Sequence, residues 1–482
     1  TLTTAALEAA LSGGDVNVDA TAGTGTGTGT INWTDGSVDA GGHSLTLTAD
    51  GAITFNGTLT NVADLTFVGG ELSGSGNASG TGTISGLVSK TFALGGTTTG
   101  TAGGITFHDF TAADAATVTG AAGFNTSDNS SLGMKFANAT SVTGTGAITG
   151  LGSTTFNLTG ANLGTVGTTT FNGFDTADTT AVTGASGFDD STKTSGGMAF
   201  ANATSVGGSG IISNVAGGFA DDTQKSTTSN IVYAWSGSVS GSGGNVTGVT
   251  GNFNIGSKVS TVSGLDYSGF NLTTVAGSGS SATIIGSNQT YHLTGANAGN
   301  NGTLSWTSFE NLSDSGAGNF VFANGASVTG TLSASAGTLD YSAYTTAVNL
   351  GLGGTATGTG GWSGITTAKG GAASDTISGS NQTYNLVGLN AGNNGTVGWS
   401  SFENIADAGT GTITATGGQT YNLSGSNAGT IAGLLSGSYT GIGHLSDSGA
   451  GNFVFANGAS ATGTLSASAG TLDYSAYTTA VN

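Results

Sequence analysis

The sequence predicts an all-β chain, a right-handed parallel β-helix (β-solenoid) with coils of about 20 residues behind a short N-terminal helix. Three observations lead there. Apolar and polar residues alternate in short runs bounded by Gly, Asn or Asp, as in half-buried strands joined by turns. One block is copied almost verbatim: residues 314–349 return as 447–482, with Val328 replaced by Ala461. Other duplicated stretches lie 64 and 93 residues apart, and with the 133 of the copied block these offsets approach multiples of about 20 to 23 residues. An antiparallel sandwich also alternates, but the spacing, the long-range duplication and the scarcity of two-residue hairpin signals favour stacked coils. Parallel crossovers set the expected hand.

From Thr3 to Ser12 the chain reads as a helix, with Leu7 and Leu11 four apart, Thr3 or Thr4 as cap, and Gly13–Gly14 as terminator. Period-two pairs follow: Val16 and Val18, Leu45 and Leu47, Ile53 and Phe55, Leu65 and Phe67. Residues 1–482 are expected to form one continuous solenoid in three stretches: N-terminal coils with the helix over 1–89, two units offset by 64 over 90–217, and later repeats over 218–482. In the middle stretch Met134–Val142 matches Met198–Val206. In the last, NQTYHLTGANAGNNG from Asn288 matches NQTYNLVGLNAGNNG from Asn381, and QTYNLSGSNAG starts at Gln419. Within the copied block Phe320 and Phe322 share a side, and Val328, Gly330, Leu332, Ala334 and Ala336 are expected to face inward. Leu339 and Tyr341 follow, then Val348, Leu350 and Leu352, which returns apolar residues to the interior about every 20 residues. The copy stops at Asn482 in mid-coil, which predicts that these residues are a segment of a longer repetitive protein.

Composition sets limits. Gly contributes 92 residues, Pro and Cys none, and charged residues are 7%, yet 36% of residues are hydrophobic, enough for a core. Collagen is excluded, because Gly has no three-residue period and Pro is absent. The net charge is −20, and all six basic residues are Lys. That leaves no basic cluster for nucleic acid and no attraction to anionic membranes. No apolar run is long enough to span a bilayer, so membrane insertion is not expected. The start at Thr1, without Met or a charged leader, implies that any signal peptide has been removed or lies outside the chain.

LTTAALEAALSGGDVNVDATAG from Leu2, INWTDGS from Ile31 and SLTLTADGAITFNGTL from Ser44 resemble secreted bacterial exoproteins of the filamentous-haemagglutinin type. GTLDYSAYTTAVNLGLGGTATGTGG resembles repeats in very large surface proteins of the same broad group. The resemblance implies a right-handed parallel β-helix, export through an outer-membrane pore by two-partner secretion, and adhesion or scaffolding at the bacterial cell surface. The N-terminal secretion domain of that family is missing from these residues. The expected partners are host or neighbouring-cell surfaces, glycans or extracellular matrix, together with self-association into filaments. The alternatives are an extracellular filament built by end-to-end or lateral association, and a β-helical polysaccharide lyase or hydrolase.

Candidate chemistry is sparse. Gly370–Ser378 (GGAASDTIS) fits the calcium β-roll pattern except that Ala373 replaces a Gly, which makes Asp375 a calcium candidate. Tandem copies would be needed to share each ion, and the stretch 93 residues earlier has Ala282 in place of Asp375, so a plain turn is the preferred reading and no cofactor is assigned. The pairs Asp189–Asp190 and Asp221–Asp222 could signal glycoside chemistry, but adjacent strand residues point to opposite faces and a uronate lyase would want Arg. His43, His108, His292 and His444 have no metal-ligand spacing, and Asn385 and Asn172 stand at the positions matching His292 and His108. SDSG at Ser313 and Ser446 has the look of a nucleophilic turn, but no base can be assigned to it. The GTGTGTGT run from Gly23 lacks the Lys-Ser/Thr of a phosphate loop. Trp306 and Trp399, followed by Thr-Ser-Phe-Glu-Asn and Ser-Ser-Phe-Glu-Asn, read as core or corner packing, with a glycan platform as the minor alternative; Glu310 and Glu403 beside them read as outward residues. No catalytic residue is therefore assigned.

Overall fold

A computed structural model describes residues 2–25, 27–242, 244–278 and 281–481. Asn482, where the copied block stops, lies outside the described residues, as do Thr1 and one Thr of the GTGT run. The architecture is all-β, with one short helix at the start and many short strands in parallel register. The helix spans Thr4–Leu11. The Thr3 hydroxyl caps it by accepting the Ala6 N–H at 3.2 Å, and Leu7 and Leu11 are its buried residues, as the four-residue spacing requires.

The chain divides into two compact units, Thr1–Val215 with Thr228–Gly237, and Ala216–Thr227 with Ser238–Asn482. In the first, Val16–Asp19 pairs in parallel with Leu45–Ala49, which pairs with Leu65–Gly69, which pairs with Thr83–Ser85. Ile31–Trp33, Ile53–Phe55 and Leu72–Ser73 form a second, three-stranded sheet in the same coils. Leu45 sits beside Leu65 and Leu47 beside Phe67, all buried, so the period-two face is the core. The offset of 64 is structural: Phe92 pairs with Val118 and then Val142, while Phe156 pairs with Val182 and then Val206.

In the second unit, aromatic rings continue the stacking inside the coils. Tyr291 stacks on Phe320 with centroids 5.0 Å apart, Phe322 on Tyr341 at 4.3 Å, and in the copied block Phe455 on Tyr474 at 4.3 Å. Val328, Leu332, Leu339 and Tyr341 are buried as expected, but Ala336 is exposed. The register slips between Ser333 and Gly337, where the strand turns a corner of the coil, and strict alternation ends there.

Coil length differs from the expectation. Steps near 20 residues occur in the N-terminal coils (Leu45 to Leu65) and in the copied block (Phe320 to Leu339). Others are longer, such as 29 from Thr290 to Asn319 and 32 from Thr420 to Asn452. The extra residues form antiparallel inserts, for example Thr290–Gly295, Ala298–Asn300 and Ser305–Thr307. Hairpins are thus frequent, contrary to the sequence reading. Some turn through Gly-x-Asn, where Gly295 pairs with Ala298 across Ala296–Asn297 and Gly388 with Ala391 across Leu389–Asn390, and others through Gly-Gly, where Ala102 pairs with Ile105 and Ser195 with Met198. Asn297 and Asn390 take the left-handed conformation at φ 52° and 55°, which Asn tolerates better than other side chains.

These asparagines also tie neighbouring coils. Asn390 accepts the Ser436 N–H at 2.9 Å, and its amide donates to Ser436 Oγ at 2.9 Å and to Glu403 Oε1 at 3.0 Å. Asn390→Ala is expected to cost about 1–3 kcal/mol, combining the left-handed backbone with the lost clamp, whereas Asn390→Gly forfeits only the clamp. Urea denaturation of the two variants checks this; equal losses would remove the backbone contribution.

Candidate functional site

The most distinctive chemistry is a recurring pair of a buried carboxylate and a buried tyrosine one coil away. Asp314 is 3% exposed, and its oxygens accept the N–H groups of Asn288 and Gly316 at 2.8 Å and of Gln289 at 2.9 Å, with the Tyr291 hydroxyl at 2.9 Å. Asp407 has the same partners one repeat later: Asn381, Gln382, Gly409 and Tyr384. Asp447 repeats it with Gly418, Gln419, Gly449 and Tyr421. Three backbone donors and one hydroxyl saturate each carboxylate, which is how a negative charge is held inside without a cation.

Electrostatics follow from that geometry. For Asp314 and Asp447, desolvation pushes the carboxyl upward, but the N–H groups of Gln289 and Gly316, or Gln419 and Gly449, and the tyrosine hydroxyl outweigh it and hold both below the usual carboxylate value. Burial pushes the Tyr291 and Tyr421 hydroxyls well up, and the adjacent carboxylates push them further, so both remain donors.

The paired aspartates, which sit where strands run out into turns, each split into one buried and one outward member. Asp190 is buried and receives the Tyr233 hydroxyl at 2.5 Å together with Ser229 Oγ. Asp221 is buried and receives the Tyr267 hydroxyl at 2.5 Å, Ser260 Oγ at 2.7 Å and Ser263 Oγ. Asp189 and Asp222 are turned away: Asp189 accepts the Ser191 and Thr192 N–H groups at 3.0 Å, and Asp222 the Thr223 N–H at 2.8 Å. Desolvation of Asp189 is outweighed by the Thr192 N–H, the Ser191 hydroxyl and the Asn214 amide, which pull its carboxyl down to about 2. The buried member of each pair is thus occupied by internal donors.

Asp375 is fully buried, accepting the Val348 N–H at 2.7 Å and the Gly371 N–H at 2.5 Å. Its bonding partners are donors, the pattern of a turn cap rather than of a cation ligand. Desolvation raises its carboxyl, these amides oppose the rise, and the Glu403 carboxylate adds to it. Glu403 does not point outward as expected. Its Oε2 accepts the Asp375 N–H at 2.7 Å. Among the described residues, no group of three or more His, Asp or Glu side chains could hold a metal ion.

These shifts set a pH dependence. A carboxyl lowered on folding contributes stability above its unfolded value and loses it as pH falls through the folded value. Asp189, Asp314 and Asp447 should therefore lower the urea midpoint as pH drops from about 4 toward 2. Asp375, raised on folding, has the opposite sign: its contribution fades as pH rises through its folded value. Asp375→Asn should gain on the parent as pH rises above about 4. A midpoint that does not move in acid would contradict the first statement, and a constant offset between parent and variant the second.

Trp306 and Trp399 are 1% and 4% exposed and pack edge-on against Tyr291 and Tyr384. They lie over Gly299 and Gly392, where a Cβ would come within 2.6 and 2.7 Å of the indole ring. They are core residues, not a glycan platform. His43 lies 3.8 Å from Asp15, and His444 Nδ1 is 2.9 Å from Thr464 Oγ1, each at the surface. A cavity of about 680 Å³ opens beneath the helix, lined by Leu2, Leu7, Val18, Ile31, Trp33 and Leu47 among others, with Asp19 and Asp35 its only acids. Asp19 already accepts the Thr21 N–H at 2.8 Å. Among the described residues no helix is long and apolar enough to cross a membrane.

Sequence reasoning missed the carboxylate–tyrosine pairs, although a signal exists. Each QTY is followed one coil later by (S/A)-D-(S/A)-G: Tyr291 by Asp314, Tyr384 by Asp407, Tyr421 by Asp447. The SDSG turns are therefore anchors, with the aspartate rather than the serine as the working residue. Comparison of the chain with protein-family models, with curated proteins and with solved structures returned no match.

Proposed function

We propose that the chain is a non-enzymatic segment of a secreted or cell-surface adhesin or fibre, a right-handed β-solenoid that displays its polar faces to other cells, glycans or matrix. The observation that carries this reading is the inward commitment of the acidic residues most able to do chemistry. Asp190, Asp221, Asp314, Asp407 and Asp447 each bind a neighbouring coil, the first two through tyrosine and serine hydroxyls and the other three through a tyrosine hydroxyl and backbone amides. Such carboxylates serve stacking, and stacking sets reach. The resemblance of the first seventy residues to filamentous-haemagglutinin-type exoproteins supports the same setting, as does a net charge of −20, which keeps exported chains apart in solution.

Attachment is tested by applying the labelled chain to glycan arrays, immobilised matrix proteins and whole cells, and by incubating it with acidic polysaccharides. Saturable retention on at least one surface without chain cleavage is the expected result. Release of unsaturated uronate products would replace this reading with a β-helical lyase. A lack of retention on every surface would defeat the adhesive role.

A further inference from the structure

The copied block is clasped by a different side chain in each of its two places. Three residues before the anchors Asp314 and Asp407 stand Asn311 and Asn404, and three before Asp447 stands His444. Each of the three accepts a backbone N–H from a later coil. Asn311 Oδ1 takes the Thr331 N–H at 2.9 Å, Asn404 Oδ1 the Ser438 N–H at 3.0 Å, and His444 Nδ1 the Thr464 N–H at 3.0 Å. Thr331 and Thr464 sit in one and the same sequence, TGTLSASAGTLDY, starting at Thr329 in the first copy and at Thr462 in the second. An amide oxygen holds the first copy, and an imidazole nitrogen holds the second.

The two acceptors differ in their response to protons. A carboxamide oxygen accepts at any ordinary pH. An imidazole nitrogen accepts only while it carries no proton, so the Thr464 contact requires the neutral ring with its proton on Nε2. Protonation sets an Nδ1–H against the Thr464 N–H, donor to donor. The Thr464 hydroxyl, 2.9 Å from the same nitrogen, can turn a lone pair to the imidazolium, which leaves the amide as the group without an acceptor. Among the described residues no acid lies within ion-pairing distance of the ring. The strand Asn404–Ala415 sets Thr412 beside His444, and its one acid, Asp407, is buried against the Tyr384 hydroxyl. Leu465–Ala467 on the other side, and the antiparallel neighbour Ala428–Ile431, carry no titratable side chain. On the histidine's own strand, Tyr439 is buried and Asp447 is bound by the N–H groups of Gly418, Gln419 and Gly449.

We propose that His444 is a pH-sensitive latch on the second copy of the block: its neutral imidazole holds the Thr464 amide and its protonated form releases it, while Asn311 holds Thr331 in both conditions. The bond is complete above the range in which imidazoles take up a proton and is lost as pH falls through that range. Flanking bonds confine the effect. The Gly463 N–H on the Gly443 carbonyl at 3.1 Å, the Leu445 N–H on the Thr464 carbonyl at 3.0 Å and the Thr462 N–H on Asn427 Oδ1 at 2.8 Å need no neutral histidine. Release therefore loosens the pairing around Thr464 without detaching the coil, a local opening rather than unfolding. The latch is independent of the adhesive reading.

Hydrogen exchange of the full chain, read by mass spectrometry with electron-transfer fragmentation, tests the latch. Val328 against Ala461 gives the two stretches peptides of different mass, while their shared sequence gives Thr331 and Thr464 the same intrinsic exchange rate at every pH. The expected result is that exchange at Thr464 relative to Thr331 rises by about threefold or more between about pH 8 and about pH 5, and that His444→Asn, which installs the acceptor of the first copy, holds the ratio constant. Nitrogen-15 NMR of histidine-labelled chain, with the His444 signal identified by its loss in His444→Asn, should show the Nε2–H tautomer at the upper pH. A ratio that stays constant in the parent, a rise that survives His444→Asn, or an Nδ1–H tautomer at the upper pH would each overturn the proposal.

Discussion

Asp314→Ala is expected to remove on the order of 3–5 kcal/mol from the stability of the second unit, one of the largest effects of any single substitution in the chain. The aspartate is 3% exposed and the acceptor for three backbone N–H groups and the Tyr291 hydroxyl. Alanine would leave all four donors inside with no acceptor, and each orphaned donor costs roughly 1–3 kcal/mol before relaxation. Tyr291→Phe, which deletes one donor and leaves the amides paired, should cost no more than about 1.5 kcal/mol. Asp314→Asn should fall between them, because an amide keeps one acceptor oxygen but turns its NH2 toward donors. Urea titrations followed by tryptophan fluorescence give the order Ala, Asn, Phe. A loss within 1 kcal/mol for alanine would mean that the amides find other partners and that the carboxylate is dispensable.

Gly364→Ala should be comparably severe, for a different reason. Gly364 has φ +64°, and a Cβ added there would lie 1.7 Å from the carbonyl oxygen of Ala334 in the coil beneath. The left-handed conformation alone costs about 1–2 kcal/mol for alanine. The overlap is with backbone, which no rotamer change can move aside, so the strand pairing of Thr359–Lys369 on Val328–Asp340 must open locally. A total loss of roughly 3 kcal/mol or more is expected, with faster amide exchange confined to these two strands. Gly353, where an added Cβ would meet nothing, is the control, and Gly353→Ala should change stability by less than about 0.5 kcal/mol. Similar losses at both sites would show that flexibility rather than the close approach explains the effect.

Much of the fold was readable because its signals are local. Leu45 and Leu47, or Phe320 and Phe322, announce their face by alternation, and Thr3 marks the helix start through its own hydroxyl. Duplication carried the reading further, since matching residues such as Phe92 and Phe156 occupy matching coils. What stayed hidden depends on register. Asp190 meets Tyr233 and Asp221 meets Tyr267 only once coils of particular length are stacked, and those lengths come from hairpin inserts that the alternation of apolar residues does not announce. Ala336 was misplaced because alternation carries no warning of a corner. Trp306 and Trp399 were legible as core, whereas Glu403 was not, since its partner is the backbone N–H of a residue one coil earlier.

The way these carboxylates are held gives the chain an unusual relation to ionic strength. Among the described residues one ion pair with a lysine occurs, Lys90–Glu71, and His43 lies 3.8 Å from Asp15 in a contact that is ionic only when the imidazole is protonated; both acids are well exposed. The interior anions rest on amide and hydroxyl dipoles a few ångströms away, which mobile ions do not reach. The surplus of exposed acids, by contrast, repel one another across distances that a Debye length of about 8 Å in physiological saline already shortens. Adding salt therefore quiets the repulsion and leaves the anchors intact, so brine tightens this chain where it would loosen a protein stapled by surface ion pairs.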